Sequence, residues 1–175
     1  MNAERTLVTG FGPFRGVEEN PSAWLAENSG RHYAVIPVGY AAARAFVQGF
    51  DHAEFDRWVM LGVSGHASRM RLELYARNRV GDGDDVEGTV LGPGPIDPNA
   101  PRVLGSTLWT EADLTGSESF ELSADAGEYL CNYLYFLALA RSLTVGFVHV
   151  PPFATMTAER QEEALDELLE RLEAR

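Results

Sequence analysis

The chain has 175 residues, 45% hydrophobic and 23% charged, which suits one globular domain with its own core. A formal net charge of −12 repels phosphate backbones and anionic lipid, so neither nucleic acid nor a membrane is an expected partner. All 14 basic residues are arginines, which excludes a Schiff-base lysine and a lysine-bearing phosphate loop.

Residues 1–9 hold no apolar stretch of signal-peptide length and carry Glu4 and Arg5 early, so no leader is expected. Residues 6–9 are a short β-like run ending in a turn-rich loop over 10–14, with Phe11 expected outside the core. Asn20 followed by Pro21 predicts a helix start, with asparagine as N-cap and proline where its missing N–H is harmless. Residues 33–38 predict a strand, 41–50 a helix, and 58–63 a third, buried strand. Near-continuous apolar strands alternating with helices predict an α/β fold with a mostly parallel sheet covered on both faces.

Over 70–77 the period changes to two. Met70, Leu72, Leu74 and Ala76 face one way; Arg71, Glu73, Tyr75 and Arg77 face the other, which reads Glu73 as a strand carboxylate on a polar, solvated face. Residues 81–101, rich in glycine, aspartate and proline, read as one long loop, functional or mobile. The Cys131 segment is apolar on a helical period at Leu130, Leu134 and Leu137. Residues 145–150 predict a buried strand, and Thr157 caps a final amphipathic helix with Leu165, Leu168, Leu169 and Leu172 on one face. The densest apolar run, 133–140, is far short of the roughly 20 residues that span a bilayer. Neither a repeat nor a linker is visible.

Cys131 is the only cysteine, so no intrachain disulfide is available, and a reduced thiol in the cytoplasm is the simplest reading. Alone, such a cysteine reads as a small buried hydrophobe. Its setting adds to this. Asp125 and Glu128 have capping-box spacing, and the N–H groups of a helix start both favour a thiolate and hold an oxyanion. With Asp125 as the cap, Cys131 falls in the second turn, where the dipole is weaker. A start nearer Tyr129, which Gly127 allows, suits the chemistry better; both stay open.

His149 reads equally as a core histidine or a base. Pro151 and Pro152 end its strand, placing it at the carboxyl edge where ligands of open α/β sheets collect. Cys131, His149 and Glu73, from three segments, are thus the parts of a nucleophile, base and orienter. His32, His52 and His66 lack zinc-ligand spacing. Gly10 and Gly12 begin a dinucleotide-binding turn, but Arg15 stands at the third glycine and Pro13 intrudes. The 82–87 run has Val86 where a calcium loop needs an oxygen ligand, so it reads as a solvated acidic loop. No cofactor and no metal is expected.

Several stretches of the chain resemble the pyroglutamyl peptidase I (pyrrolidone-carboxylate peptidase) family of cysteine peptidases. They are 9–14 (TGFGPF), 20–22 (NPS), 62–65 (GVSG), Glu73 with Ala76 and Asn78, 123–132 (SADAGEYLCN) and 147–152 (FVHVPP). They fall in the family's order and cover both ends and the centre of the chain. The resemblance implies a single-domain three-layer α/β/α sandwich over 1–175, built around a twisted, mostly parallel mixed sheet. It implies Cys131 as nucleophile, His149 as general base and acid, and Glu73 as the carboxylate that orients the imidazole. Phe11 and Phe14 would line the pocket for a pyrrolidone ring, with Asn20 close by. The implied activity removes N-terminal pyroglutamate from small peptides through a thioester. Family members are commonly oligomers, which makes a homo-oligomer the expected assembly.

Two departures stand out. The 109–122 segment is shorter than in family members, which tend to carry a longer helical piece there. Asp82, Gly83 and Asp84 stand where some members have an arginine. Two other readings use the same residues: a divergent small-acyl amidase or deacylase, and a pyroglutamyl-peptide binding protein without turnover.

Overall fold

The computed structural model describes residues 5–114 and 117–175; the first residues of the 1–9 stretch and part of the 109–122 segment lie outside them. Strands β1 (Thr6–Phe11), β3 (Arg57–Val63) and β8 (Val145–Val150) form the buried centre of the molecule, with β2 (His32–Ile36) outside β1. Strands β4 (Met70–Glu73) and β7 (Phe120–Ser123) complete a six-stranded sheet in the order β2-β1-β3-β8-β4-β7. Every neighbouring pair is parallel except β4 against β8, so the sheet is mixed but mostly parallel, as expected.

The period of two divides the apolar runs between two cores. Trp58, Met60, Val145 and Phe147 face helices α2 (Tyr40–Gln48) and α3 (Leu130–Ala140). Val59, Leu61, Val148 and Val150 face α1 (Pro21–Glu27) and α4 (Ala158–Glu173). The result is the three-layer α/β/α sandwich. Helix α4 is amphipathic because Leu165, Leu168, Leu169 and Leu172 all turn inward, each burial stabilising by about 1.5–3 kcal/mol. Thr157 caps it, accepting from the Arg160 N–H, and Asn20 caps α1, accepting from the Ser22 N–H, with Pro21 at the first helical position. No helix among the described residues is long and apolar enough to cross a membrane.

Four expectations are corrected. The alternation over 70–77 is not one strand. It breaks at Leu74, where the chain leaves the main sheet and β5 (Tyr75–Arg77) pairs antiparallel with β6 (Val103–Gly105). Glu73, the last residue of β4, is only 1% exposed rather than solvated, because it stands opposite Phe147 of β8 and beneath α3. Phe11 is not in a loop outside the core: it ends β1 and is buried among the α2–α3 side residues. Finally, the 82–87 loop is not simply solvated.

Asp85 is buried there and accepts from the Tyr40, Glu87 and Thr89 N–H groups, so it caps the start of α2 from a distant segment. Burial alone would raise its carboxyl. The N–H donors of Tyr40, Thr89 and Glu87 outweigh that and hold it below the ordinary carboxylate value. The long 81–101 loop is therefore anchored by one buried carboxylate and by the Val80–Gly94 bridge.

Candidate active site

The carboxyl ends of β1, β3 and β8 lie side by side, and α3 begins over them. Of the two helix starts left open by the sequence, the chain takes the later one. Tyr129 is the N-cap and Leu130 the first helical residue, so Cys131 is the second. Asp125 does not cap α3. Its carboxylate accepts from the Gly127 N–H in a local turn, and Gly127 supplies the left-handed φ of 81° that swings the chain into the helix. Glu128 is likewise diverted, pairing with Arg79 at 2.7 Å. Tyr129 makes no side-chain capping bond, so the N–H groups of Leu130 and Cys131 keep the unpaired character of a helix start.

Asn132 fixes that start in place. It is fully buried, accepts from the Arg77 N–H at 2.8 Å, and donates to the Arg77 and Arg79 carbonyls at 2.8 and 2.9 Å. An asparagine inside the apolar 130–140 run is the signal for such an anchor, and sequence reasoning passed over it.

Cys131 is half-buried and rests directly on β3. A methyl group added at Gly62 would sit 2.6 Å from Cys131 Sγ and 2.8 Å from Phe147 Cζ, so only glycine lets the thiol approach the sheet this closely. Gly62→Ala should therefore displace the thiol and lower kcat by on the order of 100-fold. Comparing kcat with Tm for this variant checks the claim; an unchanged kcat would show that the thiol tolerates a shift.

His149 sits on β8, paired in register with Gly62 on one side and Arg71 on the other. Its Nδ1 is 2.7 Å from Glu73 Oε1, and the Cys131 side chain acts on the same ring. Glu73 and His149 come from antiparallel neighbours and share the α3-facing side of the sheet, which is why a residue at the end of β4 reaches the imidazole. Burial by itself would lower the His149 pKa. The charge and hydrogen bond of Cys131, followed by those of Glu73, outweigh it and push the value up to about 9. The imidazolium is therefore the favoured form of this buried ring at neutral pH.

These three side chains open into a cavity of about 610 Å³ whose walls include Phe11, Phe14, Val38, Tyr129 and Leu130. Asn20 also reaches the wall, but its amide is occupied in shaping the 10–14 turn. It donates to the Gly12 carbonyl at 3.0 Å and accepts from Ser22 N–H and Oγ at 3.1 and 2.8 Å. The six residues singled out in the sequence thus all border one cavity. Val38 and Tyr129 border it too, and nothing in their local sequence separates them from ordinary core residues. No cluster of three or more metal-ligating side chains occurs among the described residues.

Comparison with known proteins converges on one family. The family model for pyroglutamyl peptidases matches residues 4–169. The pyrrolidone-carboxylate peptidase of Pyrococcus furiosus is 30% identical, over 84% of this chain and 80% of that protein. Pyroglutamyl-peptidase 1 of Homo sapiens is 29% identical, over 83% of this chain and 78% of that protein. The crystal structure of a pyrrolidone carboxyl peptidase from Fervidobacterium islandicum superposes with a TM-score of 0.86 at 28% identity, covering 97% of this chain and 98% of that one. With the Cys131 helix and the strand-end histidine both inside the matched span, the chain belongs to the pyroglutamyl peptidase family.

Proposed function

We propose that the chain is a cysteine omega peptidase that removes N-terminal pyroglutamate (5-oxoproline) from small peptides, with Cys131, His149 and Glu73 as its catalytic triad. The observation that carries this reading is the Glu73–His149 hydrogen bond, set with Cys131 on the wall of one cavity that Phe11 and Phe14 also line.

The reaction begins with the thiolate–imidazolium pair. Cys131 Sγ attacks the carbonyl carbon that joins 5-oxoproline to the next residue, and the C=O electrons move to oxygen. The N–H groups at the start of α3 hold that oxyanion, where a fixed dipole costs no reorganisation. The Ser64 N–H, in the neighbouring 62–65 turn, already donates to the Val150 carbonyl at 3.0 Å.

As the tetrahedral species collapses, the C–N bond breaks and the imidazolium gives its proton to the departing amine. A thioester remains on Cys131. Neutral His149 then takes a proton from water, hydroxide adds to the thioester, and collapse releases pyroglutamate and restores the ion pair. Glu73 fixes the tautomer by accepting from Nδ1, so that the other ring nitrogen faces the reacting atoms. Phe11 and Phe14 hold the faces of the ring, and Asn20 supports them by shaping their turn.

We infer further that residues 1–175 work as one such domain, in the cytoplasm and as a homo-oligomer, in keeping with the lone thiol and the resemblance to the family. Hydrolysis of a pyroglutamyl anilide by the purified protein, with release of free pyroglutamate, is the expected result. Stoichiometric binding of pyroglutamyl peptides without product would instead make it a binding protein. Cleavage of other small acyl anilides in preference would make it a general amidase.

A further inference from the structure

The Glu73 carboxylate has a weakness as an orienting group. Its Oε1 takes the His149 bond, but its buried Oε2 has no hydrogen-bond partner among the described residues. Among the described residues, His149 is thus the only hydrogen-bond partner of the carboxylate. It also stands at the last residue of β4, one position before the chain breaks away to pair β5 with β6. A strand end at a junction between two sheets is a poor platform for a group that must be held to a fraction of an ångström.

The peptide group that follows Glu73 is nevertheless held on both sides. Its N–H, from Leu74, donates to the Ser123 carbonyl at 2.8 Å. Its carbonyl oxygen accepts from two side chains, the Trp109 indole Nε1–H at 3.2 Å and the Tyr135 hydroxyl at 3.1 Å. Trp109 is 2% exposed and Tyr135 fully buried, so neither bond competes with water.

Both donors are themselves fixed. The Trp109 ring lies flush against β8, where a methyl on Gly146 would come within 2.4 Å of it. Tyr135 projects from the second turn of α3, four residues after the nucleophile, and its ring packs on Phe147 at 5.8 Å. The same helix that carries Cys131 thus also grips the backbone of Glu73. Trp109 ties that backbone to β8, the strand that carries His149.

We propose that Trp109 and Tyr135 are positioning residues that set the Glu73 carboxylate against His149 by clamping the Glu73 carbonyl from α3 and from the 106–109 turn. This rests on the triad reading given above. The clamp keeps β4, β8 and α3 in one fixed relation, so that Glu73 oxygen, His149 ring and Cys131 sulfur stay in line. Removing either donor loosens the Glu73–Leu74 peptide and lets the carboxylate drift from Nδ1.

Trp109→Phe and Tyr135→Phe each remove one donor and keep most of the ring, and Glu73→Gln sets the size of the full effect. Three measurements follow each variant: kcat and KM on a pyroglutamyl anilide, the His149 ring titration by NMR, and Tm. The titratable and charged groups facing His149 are Cys131 from α3 and Glu73 and Arg71 from β4, with Arg71 itself paired to Glu121, so a retreating Glu73 carboxylate should lower the midpoint of that titration.

Each Phe variant should lower kcat by about 2- to 10-fold, the worth of one net hydrogen bond, with KM little changed. Each should also move the His149 midpoint part of the way towards that of Glu73→Gln. In a Glu73→Gln background the same substitutions should leave kcat and the titration unmoved, whereas a merely structural loss would lower both backgrounds alike. Folded Phe variants with wild-type titration and kcat, beside a Glu73→Gln protein in which both are shifted, would overturn the clamp alone. A Glu73→Gln protein with an unshifted titration would overturn the triad reading, and the clamp with it.

Discussion

Replacing Cys131 with Ala should abolish hydrolysis of a pyroglutamyl anilide, a loss on the order of 10,000-fold or more, because the acyl group then has no atom to move to. Iodoacetamide should inactivate the unmodified protein in step with alkylation of one thiol, and the sequence offers no second cysteine to confuse the stoichiometry. The pH dependence should separate the contributions of His149 and Cys131. His149 keeps its proton up to about pH 9, so hydrolysis should fall above that value, where no acid remains to protonate the leaving amine. Alkylation needs only the thiolate and should not fall in the same range. His149→Ala should lower hydrolysis by about 100- to 10,000-fold, more than Glu73→Gln, since in the proposed triad one moves the proton and the other only orients the ring. A fully alkylated protein that still turned over substrate would remove Cys131 from the reaction.

The parts of this site that were legible in the sequence share one property: each is announced by residues next to it. Asn20-Pro21 names its own helix start, the Pro151-Pro152 pair fixes the strand end after His149, and Gly127 provides the turn before Cys131. The continuous apolar runs at 58–63 and 145–150 require a sheet covered on both faces, and the two cores split them residue by residue.

What was not legible depends on partners distant in the chain. Glu73 alternates correctly with its neighbours, yet its burial comes from Phe147 and α3, more than 50 residues later. Asp85 looks like one more loop carboxylate until the α2 N-terminus arrives from residue 40. The capping-box spacing of Asp125 and Glu128 was overridden because Arg79 and the 125–127 turn claim the two side chains first. The short strands β6 and β7, of three and four residues, are too brief for any period to register.

Discrimination between pyroglutamyl and prolyl substrates is the other large effect expected, and it follows from what the cavity wall can solvate. A pyrrolidone ring is neutral and flat; a prolyl ring at the chain terminus carries a charged secondary amine. Around Cys131 the ring would meet Phe11, Phe14, Val38 and Leu130, none of which can pair with an ammonium. Bringing a charge against such a wall is costly unless a partner is built for it. Groups that hydrogen-bond a lactam are left unpaired by proline, and together these penalties reach roughly 10,000-fold in kcat/KM. The carboxylates nearest this region are already engaged: Glu128 with Arg79, Asp125 with Arg77, and Glu73 with His149. Phe14 is the residue with which to probe the slot. Phe11 is 4% exposed and belongs to the core, so Phe11→Ala would lower stability by about 3–5 kcal/mol and blur the result. Phe14 is only partly buried and packs at the edge of that core, so Phe14→Ala should raise KM for pyroglutamyl substrates while Tm changes little. Comparable kcat/KM for prolyl and pyroglutamyl anilides would show that the cavity is not shaped for a lactam, whatever the triad can do.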